Sequence, residues 1–144
     1  MLLFHEIGQW LPGQLRVRWV ESSFPSIPEV NSIIESTWQE AMRLPGMHLF
    51  DGPMCRLESF RREGDELLIE LSRTSYRQFF GTNLKHPELA DRYGPRVLAG
   101  PVGVSPALIS SDSFLMLGLR NQSVAYYPNR LRWCATPQIL LSWA

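Results

Sequence analysis

Met54-Cys55-Arg56-Leu57-Glu58-Ser59-Phe60-Arg61-Arg62 and Glu66-Leu67-Leu68-Ile69-Glu70-Leu71-Ser72, joined by Glu63-Gly64-Asp65, are the stretches whose reading decides the fold. Both are strand-length runs, and the link carries the Gly-Asp chemistry of a tight turn, so the pair reads as a hairpin. Leu67, Ile69 and Leu71 recur at every second position and supply one inward face. Cys55 falls in the alternating run, where a free cysteine is expected to act as a small buried hydrophobe. The acidic cluster Glu63, Asp65 and Glu66 lies at the hairpin tip, which favours solvated charges over a metal site.

Upstream, Gln14 to Val20 alternates Leu15, Val17 and Trp19 with Arg16 and Arg18, the pattern of a half-buried strand. Met1 to Ile7 reads as a further short strand. Residues 28–44 form a helix with Val30, Ile33, Ile34, Trp38, Ala41 and Met42 on one face. Ser26 and Glu29 have capping-box spacing, Pro28 fits a first helical turn, and Pro45-Gly46 stops the helix. Downstream, Thr74 to Phe80 reads as a helical turn ended by Gly81, and His86 to Tyr93 as a short helix ended by Gly94. Val102 to Ile109 and Phe114 to Arg120 flank a Ser-Ser-Asp-Ser turn and read as a second hairpin, with Pro106 at an edge or bulge. The fold class is therefore α+β.

The 144 residues suit one domain with a core that needs neither disulfide nor metal. The net charge of zero gives no global attraction for nucleic acid or an anionic membrane. Charge is unevenly spread: residues 1–92 hold ten basic and thirteen acidic side chains, whereas residues 93–144 hold Arg96, Arg120, Arg130 and Arg132 against Asp112 alone. The second part is thus suited to an anion, or carries a plain basic surface. Two cysteines make no disulfide framework, and a reducing cytoplasm is expected. His5, His48 and His86 lack metal-ligand spacing, and no Glu follows Glu88. No G-x-S-x-G elbow or P-loop is present, so no catalytic or metal residue is assigned.

The polar and aromatic residues that remain fall in two stretches. Ser75-Tyr76-Arg77-Gln78-Phe79-Phe80-Gly81-Thr82-Asn83 resembles a Y-R-x-[FY]-x-G-T-N segment of a branch of the Nudix hydrolases, including the type that cleaves UDP-sugars. Pro101 to Ile109 resembles that branch's P-L-G-V-x-A-x-L strand, and Asp112 to Arg120 its D-D-x-L-x-L-x-x-R strand. Val124 to Asn129 matches V-A-x-x-P-G, and Trp38 and Glu40 stand where the branch has a Trp-containing helix. The pieces keep their order over roughly residues 34–130.

The resemblance implies a mixed sheet flanked by helices, with residues 1–95 as an N-terminal α+β region and 96–144 as the start of the Nudix-like core. It also implies attack by water on a nucleoside diphosphate held by Mg²⁺, whose ligands come from the Nudix box, G-x5-E-x7-R-E-U-x-E-E-x-G-U. Arg130 to Ala144 contains no acidic residue, so the catalytic helix has no counterpart in these residues. The expectation is a Nudix-like protein that is hydrolytically inactive as given, a truncated or remnant form with no cofactor. The alternatives are a Mg-dependent hydrolase completed by downstream sequence, and a nucleotide-sugar binding module. Tyr76, Arg77, Asn83, Arg120, Tyr126 and Tyr127 are the candidate ligand residues, since tyrosine stacks on a base or sugar and arginine pairs with phosphate. The plainer reading makes Tyr76 and Phe79 core anchors, Gly81 a helix cap and Arg120 half of an ion pair. The apolar run Ile139 to Trp143 suggests a homo-oligomer; no nucleic acid or membrane partner is expected.

Overall fold

The computed structural model of the chain describes residues 8–103, 108–120, 122 and 129–133. It is an α+β architecture whose centre is a mixed three-stranded sheet in the order β1-β3-β2, with helices flanking it. Strand β1 is Leu15–Trp19, β2 is Pro53–Glu63 and β3 is Glu66–Ser75. β2 and β3 form the expected hairpin around Gly64-Asp65, and Gly64 takes φ +60, a backbone region that glycine enters without a Cβ penalty. β1 runs parallel to β3, pairing Leu15 with Leu67 through Trp19 with Leu71. The register shifts between Leu57 and Ser59, so Glu58 occupies a bulge.

Leu67 and Ile69 are buried as the alternation requires. β1 departs from expectation: Val17 and Trp19 are 61% and 52% exposed. Among the described residues β1 lies at the sheet edge, paired with β3; alternation fixes which of its side chains share a face, but whether that face is covered depends on elements distant in sequence. Its Arg16 and Arg18 pair with Glu66 and Glu70 of β3. Cys55 is also exposed rather than buried, and in β2 the buried positions are Arg56 and Leu57. At the hairpin tip Glu63 pairs with Arg61, and Glu66 with Arg16, so these carboxylates are exposed ion-pair partners.

Helix α1 spans Pro28–Met42. The Ile27 carbonyl accepts the Asn31 N–H at 2.9 Å, closing its first turn. Glu29 does not reach back toward Ser26; its carboxylate receives Arg92 and the Tyr93 hydroxyl. Val30, Ile34, Trp38 and Ala41 are buried at helical spacing, whereas Met42 is exposed. Val30 and Ile34 pack with Leu89 and Val97, and Phe24, Ile27, Ile33, Tyr93 and Leu98 close around them. Each such fully buried aliphatic side chain contributes about 1.5–3 kcal/mol.

Helix α2, Tyr76–Phe79, runs straight on into a π-helical turn, Phe80–Leu84. Helix α3, Leu89–Tyr93, stops at Gly94 with φ +82, as its sequence predicts. Of the second hairpin the described residues show the turn end, where Ile109 bridges Leu115 and Leu108 O accepts the Met116 N–H at 2.9 Å; residues 104–107 of its expected first strand lie outside the described set. Strand β4, Leu117–Leu119, pairs antiparallel with β5, Leu131–Trp133, which the pattern had not marked. Contacts group the described residues into two units, 8–38 with 51–102 and 39–50 with those from 103 onward. Among the described residues no helix is long and apolar enough to cross a membrane.

Candidate functional site

The segment from Thr74 to Leu84 is held from several sides. Ser75 caps α2: its hydroxyl accepts the Gln78 N–H at 3.3 Å, and Gln78 Oε1 accepts the Ser75 N–H at 2.9 Å. This reciprocal capping box satisfies two donors that the helix itself leaves open. The Thr74 hydroxyl adds a hydrogen bond to Gln78 Oε1. Before the segment, Gly52 O accepts the Tyr76 N–H and Asp51 Oδ1 the Arg77 N–H, both at 2.9 Å.

Tyr76 stands in a ring cluster. Its centroid is 6.3 Å from Trp38, 6.0 Å from Phe79 and 6.3 Å from Phe80, and Trp38 meets Phe80 edge-on at 5.9 Å. Arg77 pairs with Glu35 at 3.0 Å and Asp51 at 3.4 Å, and its side chain is 40% exposed. Gly81 does not end the helix. A Cβ built on it would lie 3.0 Å from the Ile34 Cα, so the missing side chain is what lets the turn press on α1.

Thr82 and Asn83 form a clamp on the chain around Ala99-Gly100. The buried Thr82 hydroxyl donates to Gln78 O at 2.7 Å and accepts the Ala99 N–H at 3.1 Å. Asn83 Oδ1 accepts the Gly100 N–H at 3.3 Å. Gly100 O in turn accepts the Leu57 N–H, and Cys55 O the Val102 N–H, so the clamp is tied to β2. Thr82→Val removes the acceptor for the buried Ala99 N–H while keeping the shape. It is expected to cost about 1–3 kcal/mol, read as a lower urea midpoint with an unchanged m value.

Tyr76, Arg77 and Asn83 thus share one continuous, braced segment. Arg120 lies in the other unit, half-buried, its N–H donating to Arg130 O at 3.0 Å. Tyr126 and Tyr127 lie outside the described residues.

A second polar cluster escaped the sequence reading. Arg56 and Glu58 in β2 have side chains only 6% and 10% exposed, and Arg56 Nε stands 3.3 Å from Glu58 Oε1. Glu58 Oε1 also accepts the Ser72 hydroxyl at 2.6 Å, and Oε2 accepts Arg96 at 3.1 Å. Burial works against the charged carboxylate, but Ser72, Arg56, Ser22 and Arg96 outweigh it and hold Glu58 below the usual carboxyl range. Burial lowers Arg56 from its ordinary value; Glu58 opposes the shift and Arg96 adds to it. The available signal was a basic–acidic pair two apart on a strand. Arg56, Glu58, Pro95, Arg96, Leu98 and Gly100 line a cleft of about 160 Å³.

Curated relatives match over most of the chain. The mouse uridine diphosphate glucose pyrophosphatase NUDT22 is 34% identical over 115 residues, covering 71% of this chain and 37% of its own length. The human protein of the same name is 33% identical, covering 71% of this chain and 38% of its own. The chain is a Nudix relative. No family model matches it. Its likeness is to the UDP-sugar branch, and it spans 37–39% of the length of the curated Nudix relatives it matches. Nudix chemistry implies a divalent metal, which needs clustered carboxylates. Among the described residues no three His, Cys, Asp or Glu side chains stand together where a metal could be held. Glu29, Glu58, Glu66 and Glu70 are each turned to arginine. These residues do not fit the ion.

Proposed function

We propose that these 144 residues form the nucleotide-sugar-recognising part of a Nudix fold, and that by themselves they bind without cleaving. The observation that carries this reading is the contrast between two residue sets. Tyr76, Arg77 and Asn83 are braced on one segment, whereas the described carboxylates are dispersed and largely committed to arginines. Tyr76 is an aromatic ring of the kind that stacks on a base or sugar, and Arg77 supplies a guanidinium that can exchange a carboxylate for phosphate. The relatives' names point to uridine diphosphate glucose as the ligand to try first.

Calorimetry with uridine diphosphate glucose is expected to show binding that is the same with and without Mg²⁺. Arg77→Ala is expected to weaken it by about tenfold, the loss of one charged hydrogen bond. A parallel assay is expected to detect no uridine monophosphate. Absence of heat removes the binding half of the reading; Mg²⁺-dependent release of uridine monophosphate removes the other.

The relatives' designation as pyrophosphatases favours a second reading, a Mg²⁺-dependent hydrolase whose carboxylates come from residues outside these 144. Reading the coding sequence past codon 144 for G-x5-E-x7-R-E-U-x-E-E decides it, since the absence of such a box in every frame ends this reading.

A further inference from the structure

We propose that the two carboxylates on Arg77 play different parts in nucleotide-sugar binding: Asp51 positions the guanidinium, and Glu35 masks it until a ligand phosphate takes its place; this rests on the reading of Tyr76 and Arg77 as the binding face. The contacts of the two acids differ in kind. Asp51 Oδ1 accepts the Arg77 backbone N–H at 2.9 Å, and its Oδ2 stands 3.4 Å from Arg77 Nε. One carboxylate thus spans the main chain and the inner end of the same side chain, which fixes where the guanidinium stands. The neighbouring Gly52 carbonyl accepts the Tyr76 N–H at 2.9 Å and ties the Asp51 loop to the start of α2 a second time. Glu35, on α1, meets Arg77 at the outer end, where its Oε2 accepts from Nη1 at 3.0 Å. Exposure separates the two as well: the Asp51 side chain is 32% exposed and that of Glu35 52%.

A guanidinium grips phosphate through two parallel hydrogen bonds. It has two edges that can do so, one formed by Nε with Nη2 and one by Nη1 with Nη2. Asp51 stands on the Nε edge and Glu35 on the Nη1 edge. A phosphate on the Nη1 edge displaces Glu35 and leaves Asp51 where it is. A phosphate on the Nε edge would meet a carboxylate that its main-chain hydrogen bond keeps in place. Exposed ion pairs are weak, so the Glu35 contact is the one that gives way. The displaced carboxylate then faces the phosphate as a like charge, so Glu35 opposes binding both before and after the exchange.

The test is calorimetry with uridine diphosphate glucose on the whole chain and on its Glu35→Gln and Asp51→Asn variants. Labelling of Arg77 by phenylglyoxal, read by mass spectrometry, adds a measurement that needs no ligand. Glu35→Gln is expected to tighten binding by about two- to fivefold, the worth of one exposed ion pair, and to speed the labelling of Arg77. Asp51→Asn keeps an oxygen for the Arg77 N–H but loses the charge beside Nε, and is expected to leave the affinity unchanged or lower it. A general field effect would tighten both variants alike, so equal gains overturn the division of roles. An affinity that Glu35→Gln leaves unchanged overturns it too, while binding by the parent still stands. Glu35 is half-exposed and glutamine is as good a helix former as glutamate, so α1 is kept in the variant. If neither the parent nor Glu35→Gln binds, the nucleotide-sugar reading fails, and labelling decides the mask: a faster rate in Glu35→Gln upholds Glu35 as the cover of Arg77, and an unchanged rate overturns it.

Discussion

Phe80→Ala is expected to lower stability by about 3–5 kcal/mol. Phe80 is 1% exposed and packs edge-on to Trp38 with ring centroids 5.9 Å apart. Tyr76 leans on it at 6.3 Å, and the Lys85 ammonium lies 5.4 Å from its ring centre. Truncation therefore removes buried apolar area, two ring contacts and a cation–π contact, and leaves a cavity between elements that cannot close it. α1 is braced against the same turn at Gly81, where a Cβ would already lie 3.0 Å from Ile34. With a chain of this size the melting temperature should fall by on the order of 10 °C. Phe80→Leu, which keeps most of the volume, should lose less. An unchanged melting temperature for Phe80→Ala would place the residue outside the cooperative core.

Glu58→Ala is expected to cost about 3–5 kcal/mol, because it strands the buried Arg56 guanidinium without its counter-charge. Ser72, itself fully buried, loses its acceptor as well. The double variant Glu58→Ala/Arg56→Met should recover much of the loss, since an apolar side chain carries no stranded charge. A double variant as unstable as the single one would show that the cost comes from the emptied volume instead. The same pair predicts the acid response. Glu58 is held below its ordinary carboxyl value of 4.5, so its contribution is fully present above that value and is lost as pH falls through the lower folded one. Urea midpoints should therefore drop more steeply below pH 4.5 in the parent than in the double variant, which has no Glu58 to protonate.

The parts of the fold legible in the sequence are those governed by neighbours along the chain. The β2–β3 hairpin is written in two strand-length runs around Gly64-Asp65, α1 in the spacing of Val30, Ile34, Trp38 and Ala41, and the end of α3 in Gly94. The Tyr76 to Asn83 segment was legible too, although its support was not. Ser75–Gln78 capping is local, but Asp51, Glu35, Ala99 and Gly100 reach it only through the fold.

The misreadings have one physical origin. Alternation states which side chains share a face of a strand; it does not state whether anything covers that face. Val17, Trp19 and Cys55 are exposed because coverage is decided by elements far away in sequence, and Arg56 is buried for the same reason. Gly81 carries the local signature of a helix stop, yet its role is to let a turn approach α1, whose Ile34 lies 47 positions earlier in the chain. β5, which pairs with β4, was not marked in the sequence, because strand pairing across an intervening loop has no short-range code. By itself, then, the sequence determined the β2–β3 hairpin, α1, the end of α3, the likeness to the Nudix pattern and the dispersal of its acids. The tertiary structure alone decided which faces are covered, where Gly81 presses, and that Arg56, Glu58 and Arg96 meet around one cleft, because each of these depends on contacts between residues that the chain keeps apart.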